Sequence, residues 1–266
     1  MGHKQTKLMT QAITIRSKIS AICGVACFAM LTVTGPAVGQ TQGTGPEPVD
    51  YVNPYMGNIS HLLVPTYPTV HLPNSLLRVY PERNDYTGDR LRGLPLVVTS
   101  HRGSSAFNLS PVQGEFDVPK PVVSYSYDHE VIRPYAYSVY LDEQHIDVDF
   151  APSHQSALYR FGFAGDGPVS LVINSRNGAL RWDGTALSGY QQLGNRTKVY
   201  IYLETEIAPS RVAVVRDRTL HEGQQAEGRN AALTLQFSGS TRQLGVRYGI
   251  SFIDEAQAKA NLRREI

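Results

Sequence analysis

From Pro121 onward, apolar and polar positions alternate with a period of two in short runs closed by Gly, Asp, Asn or Pro. The runs are Val122–Tyr127, Tyr135–Leu141, His145–Phe150, Ala157–Phe163, Val169–Asn174, Leu187–Gln191, Lys198–Glu204, Val212–Val215, Ala232–Phe237 and Leu244–Phe252. Tyr and Val dominate them, as expected where a side chain must fit a pleated, half-buried surface. Ten short strands without amphipathic helices between them predict an all-β, antiparallel β-sandwich. The texture before them is different. Between Val49 and Phe116, prolines at 54, 65, 68, 73, 81, 95 and 111 interrupt every apolar run. Proline has no amide hydrogen for a ladder, so only Leu76–Tyr80 and Leu94–Thr99 read as strands there. The last segment changes period again. Asp254 is placed to cap a helix over 255–266, in which Ala258, Leu262 and Ile266 recur on one face. A helix of about 12 residues is marginal alone. Its stripe must fold back on the sandwich or meet a helical domain further along the polypeptide.

Charge and cysteine placement separate the front of the chain from the rest. Residues 1–39 hold Lys4, Lys7, Arg16 and Lys18 with no acidic residue, and both cysteines, Cys23 and Cys27. A basic stretch to Lys18, an apolar run from Ile19 to Val33 and Ala37-Val38-Gly39 have the layout of a secretory leader. The expected location is therefore secreted or periplasmic. The apolar run is too short for a membrane span, which needs about 20 residues. Residues 40–48 read as a disordered linker, 49–253 as the sandwich and 254–266 as the start of a helical linker. Behind the leader the chain has no cysteine and 21 basic against 23 acidic residues, a net charge of −2. Disulfide scaffolds, thiolate metal sites and cysteine nucleophiles are excluded, and no basic field for nucleic acid exists.

Candidate chemistry is sparse. Asp147 and Asp149 alternate along one strand, which sets them about 6.6 Å apart on one face; Glu204 and Glu206 share that spacing. Such a pair resembles the acid and base of an inverting glycosidase, and equally the solvent face of a half-buried strand. The histidines show no zinc-pair spacing, and no nucleophile elbow or phosphate loop occurs. The densest polar segments lie in the proline-rich part: Pro81-Glu82-Arg83-Asn84-Asp85-Tyr86-Thr87 and Thr99-Ser100-His101-Arg102-Gly103. Arginine forks, carboxylates and aromatic faces suit sugar hydroxyls, and they suit an ordinary hydrogen-bonded surface loop as well. Three glycosylation-type sequons begin at Asn58, Asn108 and Asn195.

The run Tyr51-Val52-Asn53-Pro54-Tyr55-Met56-Gly57, the stretch from His61 to Asn74, Tyr137-Ser138-Val139-Tyr140-Leu141 and 246–253 (VRYGISFI) occur together in that order. This order resembles glycoside hydrolase family 92, the calcium-dependent exo-α-mannosidases, over Val49–Ile266. The resemblance implies a galactose-mutarotase-like supersandwich that closes one side of an active-site cleft. It also implies inversion at the anomeric carbon and a partner (α/α)6 catalytic domain, missing from this chain, that carries the acid, the base and most of the calcium site. The implied substrate is a mannose-containing glycan. The substrate-binding candidates are His61, Arg83, Asp85, Tyr86, His101 and Arg102. Two features depart from the family pattern: no tryptophan occurs in 83–86, and no Thr-Phe-Pro-Gly near His61. Both bear on linkage and leaving-group preference. A second reading is a stand-alone carbohydrate-binding module, with Trp182 or the Tyr125 and Tyr127 pair as its aromatic platform.

Overall fold

In the computed structural model, the residues described are 45–56, 66–83, 88–99, 105–116 and 119–266, which belong to one unit spanning Gly45–Ile266. The leader read in residues 1–39 and the linker residues 40–44 lie outside them. Among the described residues no helix is long and apolar enough to cross a membrane.

Strands β1 (Val70–His71) and β2 (Arg78–Val79) form a separate two-stranded ribbon. The others are β3 (Arg90–Arg92), β4 (Leu94–Pro95), β5 (Phe107–Gln113), β6 (Ser124–Arg133), β7 (Ala136–Leu141), β8 (Ile146–Pro152) and β9 (Ser156–Phe163). After them come β10 (Val169–Trp182), β11 (Leu187–Leu193), β12 (Thr197–Thr205), β13 (Arg211–Arg216), β14 (Thr219–Glu222), β15 (Gln225–Phe237) and β16 (Gln243–Ser251). Twelve of them follow one antiparallel path, β14-β13-β15-β10-β11-β12-β16-β9-β8-β7-β6-β3, with β4 and β5 off it. Alternation accounts for most of it. In β8, Ile146, Val148 and Phe150 are buried while Asp147 and Asp149 face solvent, which decides that pair for the solvent face.

The long strand β10 is where the sandwich divides. One of its edges runs along β15; the other is shared between β5, opposite Val169–Ser175, and β11, opposite Gly178–Trp182. Three buried tyrosines then bridge the core. Tyr125 of β6 donates to the carbonyl of Pro111 (2.8 Å), Tyr159 of β9 to that of Pro95 (2.8 Å) and Tyr248 of β16 to that of Leu96 (2.7 Å). Each ring contributes apolar area while its hydroxyl finds a carbonyl.

Strand β5 corrects the expectation of loops through this region. It is buried along almost its whole length, and Asn108 and Leu109 pair with β4 while Phe107–Gln113 pair with β10. Beyond Leu109 β4 has ended, so that edge has no ladder to lose at Pro111. The expected strand Leu94–Thr99 is regular only at Leu94–Pro95, with a single bridge from Val98 to Ser105. Asn108 is 0% exposed. Its Nδ2 donates to the Arg92 carbonyl (2.8 Å) and its Oδ1 accepts from Ser110, so this sequon is a structural tie with no room for a glycan. The tie explains Gly93, whose φ is +63° and whose place a Cβ would share with Asn108 Oδ1.

Helix α1 (Glu255–Glu265) begins where expected, with Asp254 Oδ1 accepting from the Gln257 amide (2.7 Å). It folds back onto the sheet. Ala258 and Leu262 are buried against Ala186 and Tyr202, Asn261 Nδ2 donates to the Ile250 carbonyl (2.8 Å), and Arg263 pairs with Glu204 of β12. Ile266, the last position of the stripe, stays 41% exposed. Of the two fates open to the stripe, Ala258 and Leu262 take the first, burial against the sandwich itself.

Candidate functional site

The six candidate residues come from three stretches of sequence. His61, Asp85, Tyr86, His101 and Arg102 lie outside the described residues. Arg83 lies within them, and so do the flanks of each stretch: Met56 before 57–65, Arg83 and Gly88 around 84–87, and Thr99 and Ser105 around 100–104.

Arg83, Gly88 and Ser105 take part in two adjoining ionic networks. Arg83 turns toward β6 and β7. Its Nη2 pairs with the Glu130 carboxylate, its Nη1 donates to the Tyr127 hydroxyl (2.6 Å), and the guanidinium lies 4.9 Å from the Tyr127 ring centre. The two side chains are 7% and 11% exposed, so Arg83 sits in an internal ion pair, and only its Nε lacks a hydrogen-bond partner. The hydroxyl of Tyr137 donates to Glu130 (3.2 Å), and that of Tyr127 donates to the Gly88 carbonyl (3.0 Å). Tyr55, one residue from the flank of 57–65, is held in this field. Its phenol is pushed up by burial and then by the Glu130 carboxylate.

Glu82 turns the other way. One carboxylate oxygen accepts from Arg176 of β10 (2.5 Å); the other accepts from the hydroxyl (2.8 Å) and amide (3.3 Å) of Ser105. Its backbone carbonyl takes the Arg92 amide (2.7 Å). Burial, followed by Glu82, pushes the neighbouring Tyr80 phenol up to about 12. Burial also raises Tyr127, against the opposing pull of Arg83, and raises Tyr137 far above 10. All four phenols therefore keep their protons at neutral pH and remain available as donors.

A groove of about 540 Å³ adjoins the networks. Val98 connects the two, since its amide donates to the Arg78 carbonyl (2.8 Å) and it bridges Ser105. His71, Arg78, Thr99 and Thr197 supply polar edges; Leu76 and Phe252 supply partly exposed apolar ones. An apolar floor with a few convergent polar groups is the usual form of a small-molecule site.

The aromatic platform of the alternative reading is absent. Trp182 is 5% exposed, Tyr125 is fully buried, and the Tyr127 ring is covered by Arg83. Glu204 accepts from Arg247, Arg263 and the Tyr202 hydroxyl, a tie between β12, β16 and α1. Among the described residues no three His, Cys, Asp or Glu side chains gather in a way that would hold a metal ion. They do not fit a calcium site.

Sequence reasoning singled out the segment 81–87 but missed Glu130 and Arg176 as its partners. The available signal is the broken period in β6. The pairing register shifts between Asp128 and Val131, and His129 has φ +53°. This one-residue bulge turns Glu130 and Ile132 to the face of Tyr125 and Tyr127.

The family model described as the glycosyl hydrolase family 92 N-terminal domain matches residues 51–251. Among solved structures, an inverting mannosidase of family GH92 from Bacteroides thetaiotaomicron superposes with a TM-score of 0.71 at 22% identity, over 84% of this chain and 34% of that one. A GH92 α-mannosidase from the same organism gives 0.69 at 20% identity, over 81% and 34%; it has also been solved in complex with mannoimidazole. A further GH92 glycosyl hydrolase gives 0.60 at 19%, over 73% and 31%. At these identities the likeness is one of fold, and the chain spans about a third of the length of these solved relatives. No curated protein sequence matches it.

Proposed function

The chain belongs to glycosyl hydrolase family 92, whose N-terminal domain it carries, and we propose that it forms one wall of a glycan-binding cleft in an exo-acting α-mannosidase. Mannose-containing glycans are the substrate class, and the bond is cleaved with inversion. In this reading the acid, the base and the calcium ion belong to polypeptide other than the described residues, and the leader sends the protein outside the cell or to the periplasm.

One observation carries the proposal. Described flanks of two of the polar stretches, Arg83 and Gly88 of one and Ser105 of the other, join the Arg83–Glu130 and Glu82–Arg176 pairs, beside the groove edged by His71, Arg78 and Thr99. The ion pairs at that place hold the frame, and the groove beside them is the face offered to a sugar. No proton-transfer step is assigned to this chain. Its two alternating carboxylate pairs are a solvent face, Asp147 and Asp149, and a strand-to-helix tie that includes Glu204.

The test is an NMR titration of the purified chain with a mannose-terminated oligosaccharide, alongside an assay on an aryl α-mannoside with calcium. Weak, saturable shifts confined to residues around Arg83, Ser105 and Thr99 are expected, with no turnover. Hydrolysis at a rate within tenfold of a full-length family member would refute the assignment of the acid and base elsewhere. Shifts confined to the outer face of β7 and β8 would refute the cleft.

A further inference from the structure

We infer that Glu265 is a positioning residue that acts through the peptide unit between His154 and Gln155 to set the 75–77 edge of the groove. This role rests on the cleft reading, because that groove is the face offered to a sugar. It gives the last turn of α1 a part in the site, although Glu265 is not itself in the groove lining.

The geometry is specific. The turn 153–155 joins β8 to β9, and the two polar groups of its 154–155 peptide are taken from opposite sides. The His154 carbonyl accepts from the amides of Leu76 and Leu77, each at 2.9 Å. The Gln155 amide donates to Glu265 Oε2 at 2.7 Å. In a planar trans peptide the carbonyl and the amide point opposite ways and turn together, so a carboxylate that holds one sets the direction of the other. Donation to a charged acceptor also polarises the carbonyl behind it and strengthens the bonds it accepts. Gln155 is held at its own carbonyl by the Ile250 amide (2.9 Å) and at its side chain by Arg264 (2.6 Å), but neither of those groups belongs to the 154–155 peptide.

The groove edge depends on that peptide. Strands β1 and β2 pair only with each other, so residues 72–77 between them have no ladder to the rest of the sandwich. The Ser75 hydroxyl lies 2.9 Å from the His154 carbonyl, 3.2 Å from that of Ser153 and 2.9 Å from that of Leu77; its single proton serves one of them at a time. The two leucine amides are therefore the constant ties. Leu77 is fully buried, while Leu76 is partly exposed and lines the groove with Ser75. Glu265 is suited to the other end, since its side chain is 9% exposed. Burial pushes its carboxyl up, but the Gln155 amide, Arg264 and Ser153 outweigh burial and hold it below the ordinary value. It is ionised at neutral pH.

The experiment follows amide hydrogen exchange by NMR in the purified chain. Glu265→Ala removes the acceptor, and Glu265→Gln keeps an oxygen on the same stem. In Glu265→Ala the Leu76 and Leu77 amides are expected to exchange about fivefold faster or more, the scale of one hydrogen bond of ordinary net strength. The Ala258 amide, bonded within α1 to Asp254, and the ladder amides of β8 and β9 are expected to stay within about twofold. Glu265→Gln is expected to restore Leu76 and Leu77 to within about twofold of wild type. Unchanged exchange at Leu76 and Leu77 in Glu265→Ala overturns the role. So does an equal rise at Ala258 and along β8 and β9, which is general loosening, and so does a Glu265→Gln variant as fast as Glu265→Ala. A titration with a mannose-terminated oligosaccharide is a separate arm. If the wild type binds, Glu265→Ala must bind about threefold more weakly or worse, with Glu265→Gln close to wild type; equal binding by Glu265→Ala overturns the positioning role. If the wild type does not bind, the cleft reading fails, and the exchange pattern alone decides whether Glu265 sets the 75–77 edge.

Discussion

Glu82 uses both carboxylate oxygens inside the protein, one for Arg176 and one for Ser105, and is 6% exposed. Truncation to alanine would leave the Ser105 hydroxyl and amide and the Arg176 guanidinium without that acceptor. Removing one partner of a buried pair costs about 3–5 kcal/mol. Arg176 keeps partial access to water, with 32% of its side chain exposed, which lowers the expectation to roughly 2–3 kcal/mol. Urea unfolding of Glu82→Ala would show this as a lower midpoint with an unchanged slope, and a loss below about 0.5 kcal/mol would mean that the pair is water-screened. At this scale the sequence was only partly legible. Glu82 and Arg83 stand in a segment whose density of polar groups is visible, but adjacent residues of an irregular stretch give no sign that one turns toward β10 and the other toward β6. Glu130 was hidden by the bulge at His129. Strict alternation places Glu130 opposite Tyr127, and a single extra residue moves it to the same side. The sequon at Asn108 is a local pattern and could not show its burial, which depends on β4 and β10.

Helix α1 depends on a close approach. Gly249 of β16 lies beneath it, and a Cβ there would stand 2.3 Å from the Ala258 carbonyl oxygen and 3.0 Å from the Leu262 side chain. Backbone cannot yield as a flexible side chain does, so Gly249→Ala must push the helix outward. Overpacking of this kind costs about 1–3 kcal/mol. Hydrogen exchange should show the amides of α1 opening at least tenfold more often in the variant, with β6 to β9 unchanged; equal protection would show that the approach is looser than the structure has it. The start of α1 was legible because a cap and an apolar stripe are local features. Its docking partners, Ala186 and Tyr202, were not, because they come from the region of β11 and β12 far back in the chain. The same contrast separates the strands. Those with one face in water alternate and could be read, with β8 the clearest. Strand β5 is buried throughout and contains Pro111, so neither its period nor its composition marked it. The long strands β10 and β15 were read only over their Val- and Leu-rich halves. The remainder of each is rich in Gly, Asn and Arg, and is held extended by the partner strand.

Across the whole molecule, the interior is stitched by phenols, and this ties its stability to alkaline pH. Tyr125, Tyr159 and Tyr248 cross the core to backbone carbonyls, and Tyr137 donates to Glu130. Burial raises all four well above 10, with the Glu130 charge adding to it for Tyr137. In the unfolded chain a phenol titrates near 10. Each group whose folded value is raised contributes stability that is intact below the unfolded value and is lost as pH climbs from there toward the folded value. Above about pH 10 the unfolded chain releases these four protons, which the folded one retains, so stability falls by roughly 1.4 kcal/mol per pH unit for each, on the order of 5 kcal/mol per pH unit for the four together. A domain with a stability of about 5–15 kcal/mol should then unfold between roughly pH 11 and 13. Tyrosinate absorbance and far-ultraviolet circular dichroism, followed together, would check it. The four core phenols, Tyr125, Tyr137, Tyr159 and Tyr248, should ionise in a late step coincident with loss of the sheet signal. Tyr248→Phe should make the alkaline fall shallower by about 1.4 kcal/mol per pH unit, since one linked proton is gone. Ionisation of these four with the sheet signal intact would show that water reaches the interior, and the tyrosine bridges could not then be what holds the two layers of the sandwich together.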